Sequence, residues 1–154
     1  ITAEGDEIYT SPGDHYLKAD AAAALFGLSA EMASKPGGAR IDYGDMSNET
    51  GRAPWQPGSI RHTSHGGLTG NNTSGICIDY RYLGGSNRSF WGEATNKRFN
   101  VISNYVFLYI AGKWGFNKNY VSNQNVWKLG PAKATPNAAL KSDHLDHGHL
   151  TYTK

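Results

Sequence analysis

Alternation of apolar and polar positions marks the clearest element of this chain. Between Ile76 and Leu83, the residues Ile76, Ile78, Tyr80 and Tyr82 share one face of an extended segment, and Cys77, Asp79 and Arg81 take the other. That two-residue period is the pattern of a half-buried β-strand. Two longer stretches follow the helical period instead. From about His15 to Ser34 alanine and leucine dominate, with Asp14 placed to cap the start and Lys35-Pro36-Gly37-Gly38 to stop it. From Lys97 to about Lys113, Val101, Ile102, Tyr105, Val106, Leu108 and Tyr109 recur near helical spacing, which predicts a buried helix ended by Gly115. Shorter signals predict strands at Arg40–Tyr43 and Asn119–Ser122, a brief helical turn at Asn125–Leu129, and a last strand at Gly148–Tyr152 with His147 and His149 at its start. Residues 1–13 are polar, end in Ser11-Pro12-Gly13 and are expected to be mobile. Residues 47–75 and 84–96, dense in Gly, Ser and Asn, read as long loops, and long loops inside a domain are more often functional than idle. No repeat or linker interrupts the chain. The expectation is one α+β domain over residues 1–154, with a small, mainly antiparallel sheet flanked by two main helices.

A length of 154 residues is enough to bury roughly two-thirds of the unfolded surface without staples. Mean hydropathy of −0.55 fits a soluble protein. The net charge of +2 is small and no Lys/Arg run stands out, which argues against a nucleic-acid partner. The longest apolar run is too short to span a membrane. Cys77 is the single cysteine, so no internal disulfide can form, and it reads as a small buried hydrophobe. The chain begins at Ile1 with no basic, apolar leader, and a mature form or an excised catalytic domain of a larger parent is expected.

Histidine changes the picture. Five of the six histidines fall in two clusters, His62/His65 and His144/His147/His149, and Asp79 follows the first. Imidazole and carboxylate are favoured zinc ligands, and a catalytic site takes three with one position open to water. In His147-Gly148-His149 an extended backbone aims both rings to one side. Asp143 and Asp146 stand where they can orient imidazoles, while His15 has no partner in sequence. Trp55 and Trp91 sit in the two long loops, where they can stack on a substrate or pack beneath the loop.

His62-Thr63-Ser64-His65 followed by Gly75-Ile76-Cys77-Ile78-Asp79 resembles the His-x-x-His…Gly-x-x-x-Asp segment of the penicillin-insensitive murein endopeptidases. These belong to the lysostaphin, D-Ala-D-Ala and hedgehog-type metallopeptidase group. His144-Leu145-Asp146-His147-Gly148-His149 is similar to that family's terminal His-x-x-His-x-His, and Gly44-Asp45-Met46-Ser47 to an upstream Gly-Asp-hydrophobe-Ser stretch. The resemblance spans residues 44–150 in matching order. It implies Zn²⁺ held by His65, Asp79 and His149, and His62, His144 and His147 around the water as catalytic groups. It further implies hydrolysis of peptide cross-links in peptidoglycan stems, in the bacterial periplasm or cell envelope, by a secreted or delivered protein. One departure stands out: thirteen residues separate His65 from Asp79, more than the family usually has, and the excess sits in Gly66–Ser74. Loop closure costs grow slowly with length, so the insertion is compatible with the site and bears on substrate preference.

Other readings of the same residues stay open. A D-Ala carboxypeptidase or dipeptidase of the same group would need a basic residue to grip a terminal carboxylate, for which Arg40, Arg61, Arg81 and Arg88 are candidates. A non-catalytic module would keep the metal without the chemistry. A histidine-rich zinc nuclease would need a basic groove that the sequence does not announce.

Overall fold

A computed structural model of the chain describes residues 15–47, 65, 75–129 and 144–153. The anticipated Asp14 cap, the polar first residues, His62, Trp55, Arg61, Asp143 and the Gly66–Ser74 insertion lie outside the described residues.

Two strands, β1 (Cys77–Arg81) and β2 (His147–Thr151), pair antiparallel, with Cys77 opposite Thr151, Asp79 opposite His149 and Arg81 opposite His147. Short segments extend this ladder on both sides. On the outer edge of β1, Gly44 N donates to Asp79 O (2.9 Å), Asp79 N to Asp45 O (3.0 Å) and Arg81 N to Asp42 O (2.9 Å). On the outer edge of β2, Tyr120 and His149 exchange both backbone bonds, at 2.8 and 3.0 Å. The anticipated strands near residues 40–43 and 119–122 are therefore present as isolated bridges rather than as full strands: Tyr43 with Tyr80 and Tyr120 with His149, both antiparallel, and Arg40 with Arg88, parallel. The result is an α+β fold with a small antiparallel layer.

One face of that layer packs the core. Ile78, Tyr80, Tyr82, Leu83 and Leu150 are fully buried against Leu28, Phe107, Leu108, Phe116, Val121 and Val126. Each such side chain contributes roughly 1.5–3 kcal/mol by leaving water. Helix α1 (Ala19–Ala33) buries Ala21, Ala24, Leu28 and Met32, spaced along one stripe. It starts later than the apolar pattern suggested, with Lys18 at the N-cap, and stops before Gly37 and Gly38, both in the left-handed region. Its Gly27 is covered by the ring of Trp114, and Glu31 accepts hydrogen bonds from Lys113 Nζ and Trp114 Nε1, both 2.8 Å. These contacts tie α1 to the end of α2 (Val101–Lys113), which starts at the Asn100 cap, whose side chain accepts from Ser103 N. A single turn, α3 (Gln124–Trp127), buries Val126.

The face that α2 turns inward corrects the expectation from its sequence. Ile102, Val106 and Tyr109 are exposed, and the buried set is Ser103, Asn104, Phe107, Leu108, Ile110 and Ala111. Asn104 decides the rotation. Its amide donates to Leu83 O (2.8 Å) and accepts from Leu83 N (3.1 Å), acting as a strand partner two residues beyond the end of β1. A buried backbone without such a partner costs free energy, so a polar residue holds the inward position that hydrophobicity alone assigned to its neighbours. Among the described residues no helix is long and apolar enough to cross a membrane.

Candidate metal centre

The polar face of the layer gathers the histidines, and strand geometry explains how. Asp79 and His149 send their backbone N–H and C=O groups outward, to residues 44–45 and to Tyr120. They are therefore a non-hydrogen-bonded pair of the antiparallel ladder, the kind in which facing side chains come closest. Nδ1 of His149 lies 3.0 Å from Oδ1 of Asp79. Nε2 of His65 lies 3.2 Å from the same oxygen, and Nε2 of His147 lies 3.6 Å from Oδ2. The rings of His65 and His149 meet edge to face at 4.8 Å. Arg81 opposite His147 and Cys77 opposite Thr151 complete this face, so one register places Asp79, His147 and His149 together, and His65 joins them from outside the two strands.

Burial and charge set the protonation states that coordination needs. His65 and His149 are almost fully buried, at 0% and 1% exposure. Burial alone would push the Asp79 carboxyl up, but His65, His149 and His147 together hold it well below its ordinary value, so it is ionised. Burial also pushes the His149 imidazole down to about 4, against the pull of Asp79, so at neutral pH the ring is uncharged. A carboxylate and neutral imidazoles are the ligating forms. Spacing agrees. Tetrahedral zinc with bonds near 2.0–2.1 Å sets its donors roughly 3.3 Å apart, close to the 3.0 and 3.2 Å found around Oδ1. His65, Asp79 and His149 form a group that could hold a metal ion, and Asp79, His144 and His147 form a second.

The histidines of the C-terminal cluster are held from behind. Asp146 Oδ1 sits 2.8 Å from Nδ1 of His147, and Asp146 Oδ2 accepts from Arg81 Nη1 at 3.0 Å. An ionised carboxylate can only accept, so it fixes the proton of a neutral His147 on Nδ1 and leaves the Nε2 lone pair aimed at Asp79. The hydrogen bond from His147, opposed by partial burial and aided by Arg81, keeps Asp146 well below its ordinary value. Trp91 lies against the Arg81 guanidinium, 3.6 Å from its ring centroid. His144 is anchored through its backbone: its carbonyl accepts from the Tyr82 hydroxyl (2.8 Å), which in turn accepts from Ser122 N (3.0 Å). The ring of Tyr120 lies 5.5 Å from both His144 and His149.

Of the site residues expected from the sequence, His65, Asp79, His144, His147 and His149 come together, while His62 lies outside the described residues. Asp146 holds the orienting position anticipated for it. Cys77 is buried against Thr151 Oγ1 (3.6 Å), and burial pushes its thiol up to about 11, which makes it an inert packing residue. His15 is exposed before the start of α1. Sequence reasoning missed Tyr120, the clamp of Arg81 and Trp91 on Asp146, and the backbone support that Gly44 and Asp45 give Asp79. The Gly-Asp-hydrophobe-Ser stretch was a signal for the last; nothing local marks Tyr120, because its place depends on pairing with His149. Comparison of the chain with protein-family models, with curated proteins and with solved structures returns no match.

Proposed function

We propose that this protein is a zinc-dependent peptidase that hydrolyses peptide bonds in peptidoglycan stem cross-links, with His65, Asp79 and His149 as the zinc ligands. The observation that carries the reading is the convergence of these three donors, far apart in sequence, with His147 and His144 beside them on the same carboxylate. Zinc is favoured over harder cations because two imidazoles and one carboxylate are borderline donors. When bound, it lowers the pKa of a water from ~15.7 to near 7 and polarises a carbonyl oxygen.

The chain's own groups supply the proton traffic. His147 presents Nε2 toward the centre while Asp146 holds Nδ1, so this ring can take a proton from the attacking water and return it to the leaving amine. Arg81, pinned by Asp146 and Trp91, keeps that carboxylate in place as the charge on His147 changes. His144, buried beside His147 with ring centroids 4.8 Å apart, limits the rotation of its neighbour and excludes water. His62 is proposed as a further group around the site on the strength of the sequence resemblance alone. The peptidoglycan substrate and an envelope setting rest on the same resemblance, supported by the order of the histidine and aspartate motifs.

A second reading, trimming of terminal D-Ala, draws on Arg81, the cross-strand partner of His147, as the group to grip a substrate carboxylate. The test is mass spectrometry of purified peptidoglycan fragments after incubation with the protein, with and without a chelator. Chelator-sensitive conversion of cross-linked dimers to monomers is the expected result. Loss of single terminal alanines with cross-links intact would replace the endopeptidase reading by the carboxypeptidase one. Unchanged fragments in the presence of stoichiometric zinc would sink both.

A further inference from the structure

The two oxygens of Asp79 face different histidines. Oδ1 lies 3.2 and 3.0 Å from His65 Nε2 and His149 Nδ1, whereas Oδ2 faces His147 Nε2 at 3.6 Å. His144 completes the second side: ligand atoms of Asp79, His144 and His147 lie within 4.8 Å of one another. The two groups share only the aspartate. A carboxylate that offers one oxygen to each of two donor sets is suited to bridging, and paired metal sites typically lie ~3.5–4 Å apart.

We infer that Asp79 Oδ2, His144 and His147 form a second, weaker site for zinc or a similar borderline divalent cation, and that filling it inhibits hydrolysis. The binding half stands on the donors alone; the inhibition half rests on the peptidase reading above. Three features make this the weaker site. Nε2 of His147 stands 3.6 Å from Oδ2, wider than the 3.0 and 3.2 Å pairs on Oδ1, so it must close in before the two can share an ion. His147 is 17% exposed where His65 and His149 are nearly sealed, so it is held less firmly. Finally, the single negative charge of Asp79 is already committed to the first cation, and two cations at this separation repel each other. Chemistry supplies the inhibition. A second ion occupies the Nε2 lone pair of His147, the group proposed to carry the proton, and at high zinc the enzyme would switch off without any change of fold.

The test is equilibrium dialysis of the metal-free protein against zinc, repeated with cobalt so that each bound ion is also read by its visible absorption. Wild type is expected to take two ions, the second with a dissociation constant roughly 100-fold or more above the first. His144→Gln and, at a less buried position, His147→Gln should each bind one ion with the first constant unchanged within about threefold. A protein that stops at one ion at thousandfold excess over the first constant overturns the inference, as does retention of the second ion by both variants. Activity on peptidoglycan dimers, followed across the same zinc range, should fall with the midpoint of the second binding step. Two ions with no fall in activity would overturn the inhibition half. Two ions with no activity at any zinc level would leave the second site standing and remove the peptidase reading, so the two failures are told apart.

Discussion

Acid should unfold the metal-free protein through His149, and the size of the effect can be worked out. The ring is 1% exposed, and burial holds its imidazole at about 4 where 6.5 is ordinary. The folded state therefore resists protonation that the unfolded chain accepts. For a base with a depressed folded value, stability is fully present above 6.5, is lost as pH falls through the window from 6.5 to 4, and changes no further below it. The whole window corresponds to about 3 kcal/mol, and the part between pH 7.5 and pH 5 to about 2 kcal/mol. Asp79 moves in the same direction but lower down, because its carboxyl is held well below 3.8 and gains a proton only beneath the range tested. The assay is urea unfolding in excess chelator, read by tryptophan fluorescence at pH 7.5, 6.5, 5.5 and 5, for wild type and His149→Gln. The difference between the two proteins should shrink by about 2 kcal/mol across the series, since only wild type carries the group. Parallel pH profiles for the two would refute the reasoning, because burial of a neutral His149 would then have no energetic consequence. Adding zinc should raise stability at pH 7.5, by about 2.7 kcal/mol at a hundredfold excess over the dissociation constant, and steepen the acid fall as protons compete for the ligands.

Three further outcomes follow from the same geometry. His65→Ala, Asp79→Ala and His149→Ala should each lose most of the tightly held zinc by elemental analysis, and full zinc in any one removes that residue from the ligand set. Asp146→Asn should lower kcat by roughly tenfold to a hundredfold with KM and zinc content little changed, since it acts through the orientation of His147; an unaltered kcat would show that Asp146 does not position the ring. Gly148→Ala should destabilise the protein by about 1–3 kcal/mol in thermal unfolding, because a Cβ there would collide with the ring of Tyr80; an unchanged Tm would mean that the buried ring has room to move.

The parts of this molecule that were legible in its sequence are those governed by local period. The alternation over Ile76–Leu83 correctly separated Asp79 from the core face, and the two-residue spacing of His147 and His149 put both rings on one side. Helices α1 and α2 were legible as elements but not in their starts. Lys97 and Arg98 belong to a turn that Asn96 closes by accepting from Arg98 N and Phe99 N, and Asn100 begins the helix, its side chain accepting from Ser103 N. The inward face of α2 was not legible, because Asn104 is buried for a backbone partner, Leu83, that no periodicity can reveal. Pairings set by tertiary structure, such as Tyr120 with His149 or Trp91 with Arg81, were hidden for the same reason.

The metal-capable face depends on the apolar face behind it. In the observed register Ile78 pairs with Leu150 and Tyr80 with Gly148, and these pairs point into the core. A slip of one residue would turn His147 and His149 inward and Leu150 outward. Exposing Leu150 alone would forfeit roughly 1.5–3 kcal/mol, before the cost of burying two imidazoles away from Asp79. Tyr80 adds a steric lock, since its ring lies across position 148 where any side chain would collide. A slip of one residue in either direction would replace glycine there by a histidine. The glycine between two histidines therefore serves both faces of the strand: it admits the tyrosine on the core side, and by doing so it fixes which residue on the other side meets Asp79.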